Sequence, residues 1–303
     1  MSDARLTPAQ LRRKSLALMR RCFLPLLLAA LLTTLLSSCG DLANRYGEVA
    51  AERIEQAVFA EFEAENPRPA DPAALEDWET ERIVHAYFSS ADIQGERAER
   101  LWSLIGSGIE LAAGLFSAVI LTGMYHGLLG VLRGSGEPIR IFSGFRRWTT
   151  AVWLKLRITV CMLGWLLIPL LPAAMLSAYW GPVGQVLATF MLMAVTCWAR
   201  MRYALAMPCL ADGSATAEEC LTRCDADVRF FTVNGIARVA WPLLVVILAD
   251  IALNAASAFL PALALPSALF SFAAEVGLSM TGWAIIACVY EEIRRPQAVQ
   301  AAE

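Results

Sequence analysis

The last hydrophobic hairpin of the chain constrains its fold more than any other feature. Two apolar runs, residues 239–260 and 267–290, are joined by a short segment that contains Pro261 and Pro266. Each run has roughly twenty residues, and a helix of that length, rising about 1.5 Å per residue, crosses a hydrocarbon layer of about 30 Å. The hairpin therefore predicts two antiparallel transmembrane helices.

The rest of the chain predicts more helices of the same kind. Hydrophobic residues make up 57% of the sequence and the mean hydropathy is +0.53, whereas soluble domains are about 45–50% apolar. Four further apolar runs cover residues 23–36, 109–132, 152–171 and 183–198. We predict an all-α polytopic membrane helix bundle with about six transmembrane helices. The small net charge of −3 does not indicate nucleic-acid binding.

The charges of the connecting segments predict the orientation. Arginines populate the N-terminal tail, the loops 133–147 and 200–238, and the C-terminal tail, whereas the intervening segments are acidic or uncharged. Cytoplasmic loops carry the excess of Lys and Arg, so both termini are expected in the cytoplasm. Because nearly all basic residues are arginines, we expect a GC-rich bacterial genome. For a six-pass helical protein of a bacterium, we expect a location in the bacterial cytoplasmic (inner) membrane. The predicted parts are a cytoplasmic basic tail (1–22), a first transmembrane helix (23–39), an acidic helical extracytoplasmic segment (40–100), a five-helix transmembrane domain (101–295) and a cytoplasmic tail (296–303).

The stretch Leu36-Ser37-Ser38-Cys39 leaves two interpretations of the first apolar run open. In one, the run is a lipoprotein signal peptide and Cys39 is the lipidated residue; in the other, it is an uncleaved helix with a cytoplasmic basic flank. The shortness of the run favours a signal peptide. The long basic region before it, and a serine immediately before the cysteine, favour the uncleaved helix, which is our prediction.

Residues 41–100 are strongly acidic and predict a small helical segment outside the cytoplasm. Apolar residues recur at near-helical spacing over 42–62, which predicts an amphipathic helix. The stretch Asn66-Pro67-Arg68-Pro69 breaks that helix, and a second helix is predicted over 73–89. Two interpretations of the acidic surface stay open: a solvated face without a partner, and a docking surface for another protein.

The longest loop between the later spans, 199–238, contains signals for one more helix. Asp212-Gly213 predicts a turn, and Thr216 to Glu219 matches the capping box that opens a helix. Apolar residues then recur at helical spacing from Ala217 onward. This pattern predicts an amphipathic helix on the inner membrane surface.

Asp250 and Glu275 are the strongest candidates for a functional site. Counted from the turn of the last hairpin, the two acids and Asn254 lie at similar depths, so they are expected to face one another. An acid in the middle of a membrane costs roughly 2.5–3.5 kcal/mol, and two carboxylates in a low dielectric favour keeping one proton near neutral pH. Two interpretations stay open: a proton or cation site, and a protonated carboxyl group that locks the helices together.

The second predicted span carries a histidine and a small-residue face. His126 is expected to donate an interhelical hydrogen bond or, alternatively, to form a relay with the two acids. Gly123 and Gly127 have the spacing of a Gly-x-x-x-Gly motif, which lets a neighbouring helix approach closely.

Neither the cysteines nor the remaining motifs indicate a metal site or a catalytic site. Cys220 and Cys224 lie near Cys209, but a zinc site needs more ligands at tighter spacing, and no histidine is near them. We expect these thiols to pack as small hydrophobic groups. The sequence contains no Walker loop, nucleophile elbow or His-Glu metal motif, so we expect neither enzymatic activity nor a metal or other cofactor.

The chain also carries a set of short motifs between residues 128 and 295. They are Leu132-Arg133-Gly134, Phe142-Ser143-Gly144-Phe145, Tyr203-Ala204-Leu205-Ala206-Met207-Pro208, Leu210-Ala211-Asp212, Ala217-Glu218 and Tyr290-Glu291-Glu292. Together they resemble an uncharacterised family of bacterial multi-pass membrane proteins that is grouped with the membrane domain of glycerophosphodiester phosphodiesterases. The resemblance implies an amphipathic helix after the fourth span and supplies no catalytic residues. The acidic segment departs from it, and this sequence contains no phosphodiesterase catalytic domain.

Two functional classes follow from these observations. The first, which we favour, is a non-enzymatic structural or accessory protein that binds a membrane or extracytoplasmic protein partner. The second is a transporter-like protein whose proton or cation site contains Asp250 and Glu275. A permeation path needs more polar lining than one pair of acids, and the sequence shows no further polar lining. We therefore favour the first class. In both classes the lipid bilayer surrounds the helices.

Overall fold

The computed structural model of the chain describes residues 7–69, 72–88, 90–135, 139–213, 215–230, 245–254, 256 and 260–300. Within these ranges the regular structure is helical, and no residue belongs to a β-strand. The helices are α1 (Pro8–Arg21), α2 (Phe23–Glu65), α3 (Pro72–Phe88), α4 (Ser90–Leu132), α5 (Trp148–Tyr203), α6 (Ala206–Ala211), α7 (Ala217–Phe230), α8 (Val245–Asn254) and α9 (Ala264–Gln300). Two 3₁₀ segments, Ile141–Arg147 and Pro261–Leu263, precede α5 and α9. The predicted all-α fold class is confirmed.

Five helical segments are long and apolar enough to cross a membrane. They are Phe23–Glu65, Arg97–Leu132, Ile141–Gly181, Val183–Ala211 and Leu265–Arg294. Large apolar side chains on their surfaces, such as Leu163, Leu167 and Ile168, are more than half exposed. Exposed apolar surface on this scale suits a lipid environment rather than water. The chain is therefore a membrane-embedded protein.

The predicted fifth span, 239–260, falls in part outside the described residues. Its described part contains the apolar helix α8. The predicted total of six spans therefore stays a prediction. The predicted last span, 267–290, lies entirely within α9.

Gly181 divides α5 into two arms that correspond to two of the predicted spans. Its φ of 56° and ψ of −134° are not helical, and glycine adopts a positive φ without the steric cost that a Cβ imposes. Trp165 and Trp198, one from each arm, pack edge to face with ring centroids 4.8 Å apart. Arg202 lies over both rings. The chain therefore turns at Gly181, between the predicted spans 152–171 and 183–198.

Helices α2 and α4 are both longer than the sequence predicts. The predicted first transmembrane helix ends at Cys39, but α2 continues without interruption to Glu65. Likewise, α4 begins at Ser90, well before the predicted start of its span at Ile109. The reason is that serine and glycine cost a helix no more than about 1 kcal/mol each, and no proline follows the first turn of either helix.

The chain forms two compact units, and the smaller one is Leu35–Gly114. Phe62 of α2 packs against Trp78 of α3 with ring centroids 5.8 Å apart, and both side chains are buried. The Trp78 Nε1 donates a hydrogen bond of 2.9 Å to the backbone oxygen of Asn66. These contacts join α2 to α3 across the predicted break, which is confirmed because α2 ends at Glu65.

The larger unit consists of Met1–Thr34 and Leu115–Glu303. The predicted basic tail is largely the amphipathic helix α1, which packs on α9 and buries Leu11 and Leu18. Leu26 near the start of α2 is fully buried in the same hydrophobic core. The N-terminal helices therefore belong to the core of this unit.

We expect the mature protein to retain the residues that precede Cys39. Cleavage there would remove α1 and the start of α2 from the core, including the buried Leu11, Leu18 and Leu26. Burying one such side chain stabilises a protein by about 1.5–3 kcal/mol, so cleavage would leave an open core. Intact-mass spectrometry checks this: the expected mass includes the N-terminal residues, and a chain that starts at a diacylated Cys39 contradicts it.

Candidate functional site

The candidate site lies at the ends of α4 and α6, against α9, and Arg133 connects these elements. In the turn after α4, the Arg133 Nε donates a hydrogen bond of 3.0 Å to Oε2 of Glu291 on α9. The Arg133 Nη1 also pairs with Asp212, which follows α6. One guanidinium can hold both carboxylates because it presents five donors in a fixed plane. We call the end of the larger unit at which Arg133, Asp212 and Glu291 meet the basic end.

Tyr290 and Arg294 extend this cluster along α9. Tyr290 is fully buried, and its hydroxyl donates a hydrogen bond of 3.0 Å to Oδ2 of Asp212. The Arg294 Nε donates to the Tyr290 oxygen at 3.1 Å, and a second guanidinium nitrogen lies 3.9 Å from Sγ of Cys209. The motifs around Arg133, Asp212 and Tyr290 are therefore parts of one connected hydrogen-bond cluster.

The cluster controls the charge of Asp212. Burial raises the pKa of Asp212, but the hydrogen bond and the charge of Arg133, with help from Tyr290, lower it further, so the pKa lies below its ordinary value of 3.8. The hydrogen bond to Asp212 in turn raises the pKa of Arg133. The two side chains therefore form an ion pair at neutral pH. The pair therefore holds the end of α4 against the end of α6. Because both groups stay charged near pH 7, neither is suited to proton transfer at that pH.

Replacing Asp212 by asparagine is expected to lower the free energy of unfolding by about 1.5–3 kcal/mol at neutral pH, since hydrogen bonds to a charged group are lost. A carboxyl group with a lowered pKa contributes its stability above the ordinary pKa, here 3.8, and loses it as the pH falls through the folded-state value. The difference between wild type and Asp212→Asn should therefore be constant from neutral pH to about pH 5 and shrink below about pH 4. Thermal unfolding in one detergent at several pH values measures it.

Glu218→Gln is the control for that experiment. Glu218 is paired with Arg157 at 2.7 Å, but its side chain is 71% exposed, and exposed pairs contribute about 0–1 kcal/mol. An equal and pH-independent loss in both variants would contradict the role of Asp212.

Cys209, Cys220 and Cys224 are buried at the contact between α6 and α7. A hydrogen bond between Cys220 and Cys209, together with burial, raises the pKa of Cys220. The Cys224 Sγ donates a hydrogen bond of 3.0 Å to the backbone oxygen of Arg202. A buried thiol that keeps its proton, as Cys220 does, packs as a small hydrophobic group and is not a nucleophile. Among the residues that the structure describes, no group of three or more His, Cys, Asp or Glu is arranged to hold a metal ion.

Gly123 and Gly144 bring α4 into backbone contact with the 3₁₀ segment Ile141–Arg147. A Cβ added to Gly123 would lie 2.0 Å from the backbone oxygen of Ile141. A Cβ added to Gly144 would lie 2.0 Å from the backbone oxygen of Val119. The close neighbour of Gly123 is thus the connection between two spans rather than another long helix.

His126 and Gly127 lie one turn further along α4. A Cβ added to Gly127 would lie 2.5 Å from the side chain of Ile139. The His126 Nδ1 lies 3.0 Å from the backbone oxygen of Ala211 on α6. Because a carbonyl oxygen only accepts, Nδ1 carries the proton in this contact, and Nε2 is the ring nitrogen that remains for another partner. The structure therefore gives His126 a hydrogen-bond partner at the basic end.

A cavity of about 240 Å³ lies beside His126. We call it the arginine cavity, because Arg146 and Arg147 are among its lining residues together with Thr122, Ser143 and Gly213. A second cavity of about 700 Å³ shares Arg147 and Gly213 with it. Polar groups from α4, from the 3₁₀ segment and from the loop after α6 thus surround one space.

Asp250 and Asn254 lie on α8 and contact Ser271 on α9. The Ser271 hydroxyl donates a hydrogen bond of 2.5 Å to Oδ1 of Asp250. The Asn254 Nδ2 lies 3.2 Å from the same oxygen and 3.0 Å from the Ser271 hydroxyl oxygen. Glu275 is exposed and lies one helical turn beyond Ser271 on α9. The structure thus brings two of the predicted residues together, with a serine that sequence reasoning did not include.

The residues that meet at the basic end include those on which the family resemblance rests. No family model, curated protein or solved structure matches this chain. The resemblance to the membrane proteins grouped with the glycerophosphodiester phosphodiesterase membrane domain therefore stays a prediction. Lipidation of Cys39, which is exposed on α2, stays the alternative to the predicted uncleaved helix.

Sequence reasoning did not assign a role to Tyr290 or Arg294, although a signal was present. Arg133, Asp212 and Arg294 follow or end apolar runs that the positive-inside rule assigns to one side of the membrane. Charged residues confined to one side of a small bundle are near enough to pair. The charge pattern therefore predicts that these residues lie on the same side of the membrane, but it does not predict which of them form pairs.

Proposed function

We propose that the chain is a non-enzymatic accessory protein of the bacterial cytoplasmic membrane, and that its Leu35–Gly114 unit binds a partner protein outside the cytoplasm. The uneven distribution of charge between the two units carries this proposal. Leu35–Gly114 contains sixteen acidic residues and six arginines, although the net charge of the whole chain is only −3. The larger unit is correspondingly basic.

A stripe of acids on α2 is the surface that suits a partner. Glu48, Glu52 and Glu55 follow at i, i+4 and i+7, so they lie on one face of the helix, and all three are exposed. Like charges at this spacing destabilise a helix by about 0.2–0.5 kcal/mol per pair. A cationic surface laid against the stripe removes that repulsion. In contrast, Glu63 further along α2 already pairs with Arg82 at 2.8 Å.

The expected partner is a protein with a cationic surface rather than a second copy of this chain. Two copies of the acidic unit repel each other, because each carries the same excess of negative charge. Opposite charge speeds association and selects partners, and the effect weakens with salt because the screening length is about 8 Å at physiological ionic strength. Binding to the acidic stripe should therefore be salt-dependent.

The variant Glu48→Gln, Glu52→Gln, Glu55→Gln tests the proposal. The protein is purified from its own membranes in mild detergent, and proteins that accompany it are quantified against the wild type. We expect a protein present in fixed ratio with the wild type to be lost severalfold from the variant and by washing in high salt.

A variant with the same charge change on α3 is the matched control. Glu76, Asp77 and Glu81 are also exposed, and Glu76→Gln, Asp77→Asn, Glu81→Gln removes three negative charges from a different helix of the same unit. The control should retain the partner. Equal retention or equal loss in the two variants, or the absence of any partner in fixed ratio, contradicts the proposal.

A transporter-like function is the second candidate, and the contacts of Asp250 favour it. A carboxylate, a hydroxyl and an amide meet within hydrogen-bond distance of one another on two apolar helices. The carboxylate and hydroxyl oxygens are ligands for hard cations, whereas Asn254 presents its Nδ2 to them. Acids within a membrane are costly unless they are paired or functional. The alternative is a hydrogen-bonded lock between α8 and α9.

The variant Asp250→Asn distinguishes an ion site from a hydrogen-bonded lock between α8 and α9. The amide has nearly the shape of the carboxyl group and can still accept from Ser271, so a lock should survive with little change in thermal stability. An ion site should lose its cation-dependent stabilisation and its proton or cation uptake in proteoliposomes, and Glu275→Gln tests the second acid in the same way. Wild-type protein that shows no uptake and no stabilisation by sodium, potassium or protons contradicts the transporter function.

A further inference from the structure

The arginine cavity carries an excess of positive charge. Arg146 and Arg147 are both exposed, and neither forms an ion pair with any other residue that the structure describes. None of the described residues that line the cavity is acidic. Asp212, which lies between the lining residues Ala211 and Gly213, is already paired with Arg133. The two guanidinium groups are therefore available to an anion that comes from outside the protein.

Neutral polar groups that line the cavity can orient a bound anion through hydrogen bonds. Ser143 contributes a hydroxyl that can donate to an anionic oxygen. The His126 Nδ1 donates to the backbone oxygen of Ala211, so Nε2 is an acceptor in the neutral ring and can bind only a phosphate oxygen that carries a proton. A guanidinium matches the oxygens of a phosphate with two parallel hydrogen bonds. Two arginines and a hydroxyl supply donors to several oxygens at once, which suits a phosphate group better than a carboxylate, which offers fewer oxygens.

The fold holds these groups at the start of a helix. The contact between Gly123 and Gly144 fixes the 3₁₀ segment against α4, and the segment leads directly into α5. Arg147 is the N-cap residue of α5, and its side chain makes no capping hydrogen bond to the helix. The positive end of the helix dipole therefore points toward the same place as the arginines, which adds to the attraction for an anion.

Aromatic residues place the arginine cavity at the level of lipid headgroups. Phe142, Phe145 and Trp148 surround the arginines in the sequence, and all three side chains are more than 40% exposed. Exposed aromatic side chains at the end of an apolar helix are typical of the membrane–water interface. An anion bound here is therefore within reach of the bilayer surface.

We propose that the arginine cavity binds a phosphate-bearing anion, and that the phosphate of an anionic phospholipid headgroup is its source. The volume of about 240 Å³ is slightly below the usual range of about 300–1,000 Å³ for small-molecule pockets, so it suits one phosphate group. The adjoining cavity of about 700 Å³ gives space for the rest of the headgroup; its lining includes Thr149, Thr150, Thr216 and Glu218, whose carboxylate is paired with Arg157. This proposal is independent of the partner-binding function of the smaller unit.

The experiment compares two probes, dioleoyl phosphatidic acid and inorganic phosphate, on the full-length protein in a neutral detergent. Native mass spectrometry counts bound lipid, and thermal stabilisation reports phosphate. We expect Arg146→Gln, Arg147→Gln to weaken binding of phosphatidic acid by about tenfold or more, which corresponds to the loss of two charge-assisted contacts. Ser143→Asp, which adds a negative charge beside both arginines, should weaken it similarly.

Arg20→Gln, Arg21→Gln is the matched control, because it removes the same charge from exposed positions at the end of α1. Binding should change less than about twofold in this control. Binding of phosphatidic acid that depends on Arg146 and Arg147 supports the lipid headgroup as the source. Stabilisation by inorganic phosphate without binding of phosphatidic acid overturns the lipid source and identifies a site for free phosphate. Equal weakening in both arginine variants, or no binding of either probe to the wild type, overturns the proposal.

Discussion

Gly144→Ala should lower the free energy of unfolding by about 2–3 kcal/mol, because the new methyl group has no space. Its Cβ would lie 2.0 Å from the backbone oxygen of Val119 and 2.8 Å from the backbone nitrogen of Gly123. Backbone atoms cannot rotate away as side chains can, so the 3₁₀ segment must separate from α4. The measurement is thermal or denaturant unfolding in one detergent, followed by tryptophan fluorescence.

Gly164→Ala is the control for this experiment. An added Cβ at Gly164, in the first arm of α5, meets no atom within 4 Å, and alanine favours a helix over glycine by about 1 kcal/mol. This variant should be as stable as the wild type or more stable. Gly144→Ala should also weaken binding of phosphatidic acid, since Arg146 and Arg147 move with the segment. An alanine at position 144 that leaves stability unchanged would contradict the backbone contact with α4.

Arg133→Ala is expected to cost about 2–3 kcal/mol, because two carboxylates lose their shared guanidinium. The side chains of Asp212 and Glu291 are only 19% and 12% exposed, so water replaces little of the lost interaction. Removing one partner of a fully buried pair costs about 3–5 kcal/mol. We expect less here because the Arg133 side chain is 43% exposed. Unfolding in detergent at neutral pH measures the loss.

Two further variants control for charge and geometry. Arg157→Ala removes an arginine whose partner Glu218 is 71% exposed, and it should cost no more than about 1 kcal/mol. Arg133→Lys keeps the positive charge but lacks the planar set of donors, so its stability should fall between those of Arg133→Ala and the wild type. If Arg133→Ala and Arg157→Ala lose the same stability, Arg133 does not connect the helices as described.

Local patterns predicted the features that depend on neighbouring residues. The capping box at Thr216 and Glu219 is confirmed, with reciprocal hydrogen bonds of 3.0 Å and 3.3 Å. The helix break at Asn66 is confirmed for the same reason. Each of these features is decided by a few residues whose backbone preferences act at short range.

The candidate site was harder to predict because its contacts are not local. Arg133 is 79 residues from Asp212 and 158 residues from Glu291. Positive-inside topology places such residues on one side of the membrane but does not specify which helices are neighbours. The neighbour of Gly123 is likewise a connecting segment, whereas the Gly-x-x-x-Gly spacing predicts a second helix. Pairing of this kind depends on the packing of the whole bundle, which no short pattern contains.

Native mass spectrometry of the protein extracted from its own membranes in mild detergent tests the proposed accessory function most directly. We predict the mass of the chain together with one other protein in a fixed ratio, and loss of that protein from the variant Glu48→Gln, Glu52→Gln, Glu55→Gln. The chain alone, or an assembly of identical chains only, would contradict the proposal and make Asp250→Asn the next variant to measure.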